Sequence, residues 1–128
     1  MDWKNIDKDL SKKIKAVCHE IYNQKKFPVR VSITEIIRRV GYKKWIDKRE
    51  NKLPLTDEVL NKNLELLEDY MIRKLRWAKE QYIEEEIIPT LPQLKARAVI
   101  RNKTSNESEK VQNAIYSIWE EIRQTIES

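Results

Sequence analysis

VSITEIIRRVG, residues 31–41, is a complete short helix written in sequence. Ser32 stands where an N-cap hydroxyl is needed, and Glu35, three residues on, is placed to return a bond to the Ser32 amide. Val31 and Ile36 occupy the two positions of a hydrophobic staple. Gly41 supplies the left-handed residue on which such a helix ends. A helix of about eight residues is marginal alone, so neighbours must hold it.

Working outward, helical spacing continues in both directions. On the N-terminal side Ile6, Leu10, Ile14, Val17 and Ile21 recur at three- and four-residue steps, which predicts an amphipathic helix over about 3–25. Cys18 borders that stripe as a small core residue, and His19 faces the polar side with Lys12 and Lys15. Phe27-Pro28 breaks this helix, because the residue before proline is pushed out of the α region. On the C-terminal side YKKWIDKRENKLP is a basic connection, with Trp45 and Ile46 suggesting a short docked turn. Thr56 is then expected to cap a long helix running to about Glu86, with Leu55 and Leu60 as its staple. Leu60, Leu64, Leu67, Met71, Leu75, Ala78 and Tyr82 form its apolar stripe. Pro89 ends it.

A second capped short helix follows. Thr90 and Gln93 form a capping box, and Leu94, Ala98 and Val99 give the buried face of a helix over 91–100. RNKT makes a four-residue turn, and Ser105 caps the last helix. Its stripe is Val111, Ala114, Ile115, Ile118, Ile122 and Ile126, with Trp119 alongside. The expected fold is all-α: a helical bundle in which two helix-turn-helix-like units, about 28–70 and 89–128, share a long central helix in a single domain spanning 1–128.

Composition narrows the function. The 128 residues hold one cysteine, one histidine and one glycine, and 37% are charged. One Cys and one His cannot build a zinc site that needs four N/S ligands, and they leave most nucleophilic and acid–base schemes without a base. No phosphate-cradling glycine loop or nucleophile elbow occurs. Glu84, Glu85 and Glu86 point about 100° apart on a helix, so they cannot converge on one ion. The reading is therefore a non-enzyme with no cofactor, no metal and no small-molecule substrate. No apolar run approaches the roughly 20 residues of a membrane span, so a cytoplasmic, nucleoid-associated protein is expected. Trp3, Trp45, Trp77 and Trp119 read as core before they read as base-stacking platforms.

Net charge is +5 with a pI of about 9.3, which favours a polyanionic partner. Between Lys25 and Lys52 the basic residues are opposed only by Glu35, Asp47 and Glu50, and Lys95, Arg97, Arg101 and Lys103 follow one another with no acid between. Phosphates would sit on Arg30, Lys43, Lys44, Lys48, Arg49, Lys52, Arg97, Arg101 and Lys103, whereas Thr56, Asn61, Lys62, Asn106, Lys110 and Asn113 would approach base edges. The first recognition element is either the 42–55 segment or the start of the following helix. The alternative is a helical protein-interaction module, with the acidic 57–86 spine as contact surface and the basic turns as solvation.

The ordered succession PVRVSITEIIRRVG (28–41), KLPLTDEVL (52–60) and LELLEDYMIRKLRWA (64–78) resembles the C-terminal part of TnsD, the target-site-selecting protein of Tn-seven-like transposons, in the TniQ group. The matching pieces are Arg30-Val31-Ser32, Leu53-Pro54-Leu55-Thr56, Leu67-Glu68-Asp69-Tyr70 and Lys74-Leu75-Arg76-Trp77-Ala78. The resemblance implies sequence-specific binding of double-stranded DNA that selects a chromosomal site for insertion. It also implies partnership with the ATPase regulator TnsC and the transposase. Members carry an N-terminal zinc-binding region whose ligands are missing here, so the resemblance implies a C-terminal DNA-binding portion of a larger protein.

Overall fold

The structure, a computed structural model, describes residues 2–41, 52–101, 103 and 108–128. Those residues form six helices and no strand: α1 (Trp3–Asn23), α2 (Ile33–Val40), α3 (Pro54–Asn63), α4 (Leu67–Glu85), α5 (Leu91–Arg97) and α6 (Glu109–Glu127). The all-α expectation holds. The helices group into two compact units, Met1–Glu65 and Leu66–Ser128.

In the first unit α1 lays its apolar line against α2 and α3. Leu10, Ile14, Cys18 and Ile21 from α1 meet Val31, Ile36, Leu53 and Leu60 in one buried cluster. Cys18 is the small core residue expected, and burial pushes its thiol pKa up. Ser32 caps α2 by accepting from the Glu35 amide at 3.2 Å, and Val31 and Ile36 are both fully buried. Gly41 closes the helix with φ +80° while its N–H donates to the Ile37 carbonyl. The return half of that capping box is different from the expectation: the Glu35 carboxylate turns to Arg38 and Arg39 instead.

The start of α3 overturns a second expectation. Thr56 does not cap a helix; it lies inside α3, with no exposed surface, and Pro54 holds the first helical position. The cap comes from another helix. Asp7 of α1, 3% exposed, accepts from the Leu55 amide at 2.9 Å and the Thr56 amide at 2.8 Å, one bond to each carboxylate oxygen. A buried carboxylate is tolerated only when it is bonded in this way, and the positive end of a helix is a favourable place for it. Leu53, not the half-exposed Leu55, is the apolar residue buried at this helix start.

The expected long helix is two helices. Residues 64–66 leave the α conformation between α3 and α4. There the Glu65 amide donates to the Val31 carbonyl at 2.9 Å, and the Glu65 carboxylate accepts from the Val31 amide at 3.2 Å. Arg30 Nε adds a bond to the Glu65 carbonyl at 3.0 Å. Backbone that pairs with Val31 cannot also pair within a helix, so α3 stops. Leu64 packs into the first cluster, and Met71, Leu75, Ala78 and Tyr82 belong to a second.

In the second unit α4 and α6 run parallel: Glu68 and Asp69 meet Ser108 and Lys110 at their starts, and Lys79 meets Glu121 further along. α5 returns against α4, with Tyr82 Oη bonded to the Gln93 carbonyl and Lys74 Nζ to the Val99 carbonyl. The Thr90/Gln93 capping box is present in both directions, and the α6 stripe is buried as expected at Val111, Ile115, Ile118 and Ile122. Trp119 packs on the core and donates to the Pro89 carbonyl at 2.7 Å, while Trp3 and Trp77 also pack against core clusters. Trp45 and Ile46 lie outside the described residues.

Two boundaries differ from expectation. α6 begins at Glu109 and is capped by Ser108, whose hydroxyl accepts from the Val111 amide at 3.2 Å; Ser105 lies outside the described residues. Of the expected RNKT turn, Asn102 and Thr104 lie outside the described residues. α5 ends at Arg97, so Val99 is not on its buried face; it is 60% exposed with φ +55°. The Ile100 amide reaches back to the Lys95 carbonyl and the Val99 amide to the Ala96 carbonyl. That bond pair is a Schellman ending with valine at the left-handed position. α4 ends in the same way on Glu86, φ +57°, with Ile87 bonded to Tyr82 and Glu86 to Ile83. Left-handed backbone is costly for a side chain branched at Cβ.

Asp7→Ala should lower unfolding free energy by about 2–3 kcal/mol, because two buried amides lose their acceptor. Ser32→Ala should cost only about 1 kcal/mol. Chemical denaturation of the two variants checks the order, and equal losses would mean that Asp7 is not the cap of α3. Val99→Gly should raise stability by about 1 kcal/mol, since relief of left-handed strain exceeds the added freedom of the unfolded chain. A lower melting temperature in that variant would contradict the strain at this residue.

Candidate nucleic-acid interface

Charge is divided unequally between the units. Residues 1–65 hold 16 Lys and Arg against 10 Asp and Glu, and residues 66–128 hold 10 against 11. The whole positive excess of the chain therefore belongs to the first unit. Long-range attraction of a polyanion follows such an excess, whereas a local ion pair cancels at short range.

Of the anticipated phosphate contacts in the first unit, Lys43, Lys44, Lys48 and Arg49 lie outside the described residues. Arg30 is exposed and spends its Nε on the Glu65 carbonyl. Lys52 is exposed, its ammonium 4.9 Å from the Trp3 ring centroid. Asn61 and Lys62 are exposed on α3, and Lys62 pairs with Glu58 at 2.8 Å. Thr56, anticipated at a base edge, has no exposed surface and uses its hydroxyl on the Asp7 carbonyl at 3.4 Å.

In the second unit Arg97 is held within the fold, bonded to Glu85 and stacked 4.1 Å from the Tyr82 ring centroid. Pro92, Lys95, Ala96, Ile100 and Arg101 line an open groove beside α5. Arg101 and Lys103 are both exposed. Lys110 pairs with Asp69 at 2.7 Å, and that bond raises its pKa. Asn113 is exposed, and Asn106 lies outside the described residues. Arg97 and Lys110 are thus neutralised locally, whereas Arg101 and Lys103 stand exposed.

Three residues that position these surfaces escaped sequence reasoning: Asp7, Glu65 and Lys74. Lys74 is 7% exposed, burial lowers its pKa, and its ammonium holds the Val99 carbonyl at 3.0 Å beside the Tyr70 ring. It fixes the backbone that leads into Arg101. A signal existed for two of them: Asp7 sits in the 3–7–10–14 register of the α1 core line, and Lys74 in the 71–74–78 register of α4. A charge at a core position implies a buried partner.

Among the described residues no group of His, Cys, Asp and Glu is arranged to hold a metal ion, and no helix is long and apolar enough to cross a membrane. Glu84–Glu86 is a helix end whose middle residue binds Arg97.

Glu35 carries the clearest pH signature. The hydrogen bond from Arg38, opposed in part by burial and reinforced by Arg39, pulls its pKa from the ordinary 4.5 to about 2. A carboxylate with a lowered folded pKa stabilises above its unfolded pKa, and that contribution disappears as pH falls through the folded value. Between pH 4.5 and about 2 the wild type should lose more stability than Glu35→Gln. Parallel stability-against-pH curves for the two proteins would show that the pair contributes nothing to folding.

Comparison with known proteins bears on the same region. Residues 1–60 match the TnsD family, Tn7-like transposition protein D. That span covers the first unit almost entirely, whereas the segments that carry the anticipated resemblance ran from 28 to 78; the match reaches further toward the N-terminus and stops before α4. No curated protein and no solved structure matches the chain. Over its first 60 residues, the span that builds the basic unit, the chain is similar to the TnsD family.

Proposed function

We propose that this chain binds double-stranded DNA in a sequence-specific way and selects a chromosomal target site for insertion in Tn7-like transposition. The observation that carries the reading is the coincidence of two boundaries: the TnsD match covers 1–60, and the positive excess belongs to 1–65. A basic unit attracts duplex phosphate without regard to sequence, and polar side chains then read base edges. Arg30, Lys52 and the 43–49 cations would hold phosphate, with Arg101 and Lys103 as a separate contact on the second unit. Asn61 and Asn113 are exposed amides of the type that bonds adenine bidentately. The partners that go with this role are the ATPase regulator TnsC and the transposase; the chain itself is read as carrying no catalysis.

The test is selection of bound duplexes from a random-sequence pool, followed by affinity against salt for the enriched site. One enriched, extended site is expected, with log K falling by about 0.9 per phosphate neutralised for each unit of log salt. Binding without enrichment would remove the targeting role. Absence of binding would favour a helical protein-interaction module. Arg101→Ala with Lys103→Ala should weaken binding and reduce the salt slope by about 2, with the melting curve unchanged. An unaltered slope would remove that turn from the interface.

A further inference from the structure

The outer face of α1 carries lysines that form no ion pair among the described residues. Lys4, Lys8, Lys12 and Lys15 follow at steps of four, four and three residues. At about 100° per residue they fall within an arc of roughly 80°, as one line about 16 Å long. All four are exposed, and none forms an ion pair among the described residues.

The acids of the same helix are all engaged elsewhere. Asp2 caps α1 on the Asn5 amide, and Asp7 caps α3. Asp9 pairs with Lys13 at 3.1 Å, and Glu20 lies 3.8 Å from Arg39 of α2. The chain does neutralise lysines by i,i+4 acids where it places them, as at Asp9–Lys13 and Glu58–Lys62. Along the line it places lysine opposite lysine at the same spacing, an arrangement that destabilises a helix. Like charges kept adjacent and solvated are relieved by an external polyanion. Lysine is a compact point charge with no planar fork for a base edge, which suits phosphate. No aromatic side chain interrupts the line to stack on a base.

We infer that Lys4, Lys8, Lys12 and Lys15 of α1 form a phosphate-contact face that lies along the backbone of duplex DNA and sets affinity without reading sequence. Duplex DNA offers about one negative charge per 1.7 Å of axis, so a 16 Å line meets several phosphates. The inference rests on the DNA-binding reading above and adds a surface outside the basic turns.

The experiment compares the full chain with its Lys4→Gln/Lys8→Gln/Lys12→Gln/Lys15→Gln variant, measuring affinity for the enriched duplex and a scrambled one from about 50 to 200 mM salt. The slope of log K against log salt should fall by about 3–4, and both duplexes should lose affinity by the same factor. The variant's melting temperature should not drop, because adjacent like charges are removed. Lys13→Gln, whose lysine is engaged with Asp9, should leave the slope nearly unchanged. A quadruple variant with the wild-type slope overturns the inference and leaves the DNA reading standing. Loss confined to the enriched duplex also overturns it, since that is the mark of base contact. A wild type that binds neither duplex but binds polyglutamate in a salt-dependent way removes both readings and assigns the face to an acidic protein.

Discussion

The pairing of Glu65 with Val31 is the contact on which the arrangement of this chain depends. One residue supplies an amide donor, a carboxylate acceptor and a carbonyl, and they meet Val31 and the Arg30 side chain. The amide that bonds Val31 is withdrawn from the helical ladder, so a stretch with unbroken helical spacing becomes two helices. Glu65 is 7% exposed, a carboxylate at that depth needs hydrogen-bond donors, and the Val31 amide supplies one. The boundary between the compact units falls immediately after it.

Charge in this protein is divided by task. The buried charges are structural: Asp7 caps a helix from a distance, Glu65 ends one, and Lys74 holds the left-handed residue that ends another. The half-exposed pairs, such as Lys79 with Glu121 and Arg97 with Glu85, tie helices together within the second unit. The net positive charge that remains lies in the first unit, on its lysines and arginines. That charge is what a polyanion would meet, and it coincides with the part of the chain that matches the TnsD family.

Scarcity of glycine has its own consequence. With one glycine, spent on Gly41, the chain ends two further helices in left-handed turns on Glu86 and Val99. Valine there is held by two backbone bonds and by the Lys74 ammonium, and it stands exposed between Lys95 and Arg101 in sequence. The local surroundings, and not the residue's own preference, keep that backbone in place.

Much of the fold was legible because its determinants are local. The apolar lines of α1 and α6, the Ser32 cap and the Thr90/Gln93 box involve residues three or four apart, and helical periodicity reports them directly. The same local reading misplaced a cap at Thr56, because the acceptor at α3 lies 48 and 49 residues earlier in the chain. It also merged α3 with α4, because spacing records that Leu64 and Met71 both face a core but not that the cores are different. Of the candidate interface, Arg30, Lys52, Asn61, Arg101 and Asn113 are exposed. Thr56, Arg97 and Lys110 are engaged in internal bonds that spacing does not reveal, since a polar residue in sequence carries no record of its partner. By itself, then, the amino-acid order determined the helices, their local caps and the excess of positive charge. Tertiary structure alone decided which helices end where, and which charges remain for a ligand, because both depend on donors and acceptors brought together across tens of residues.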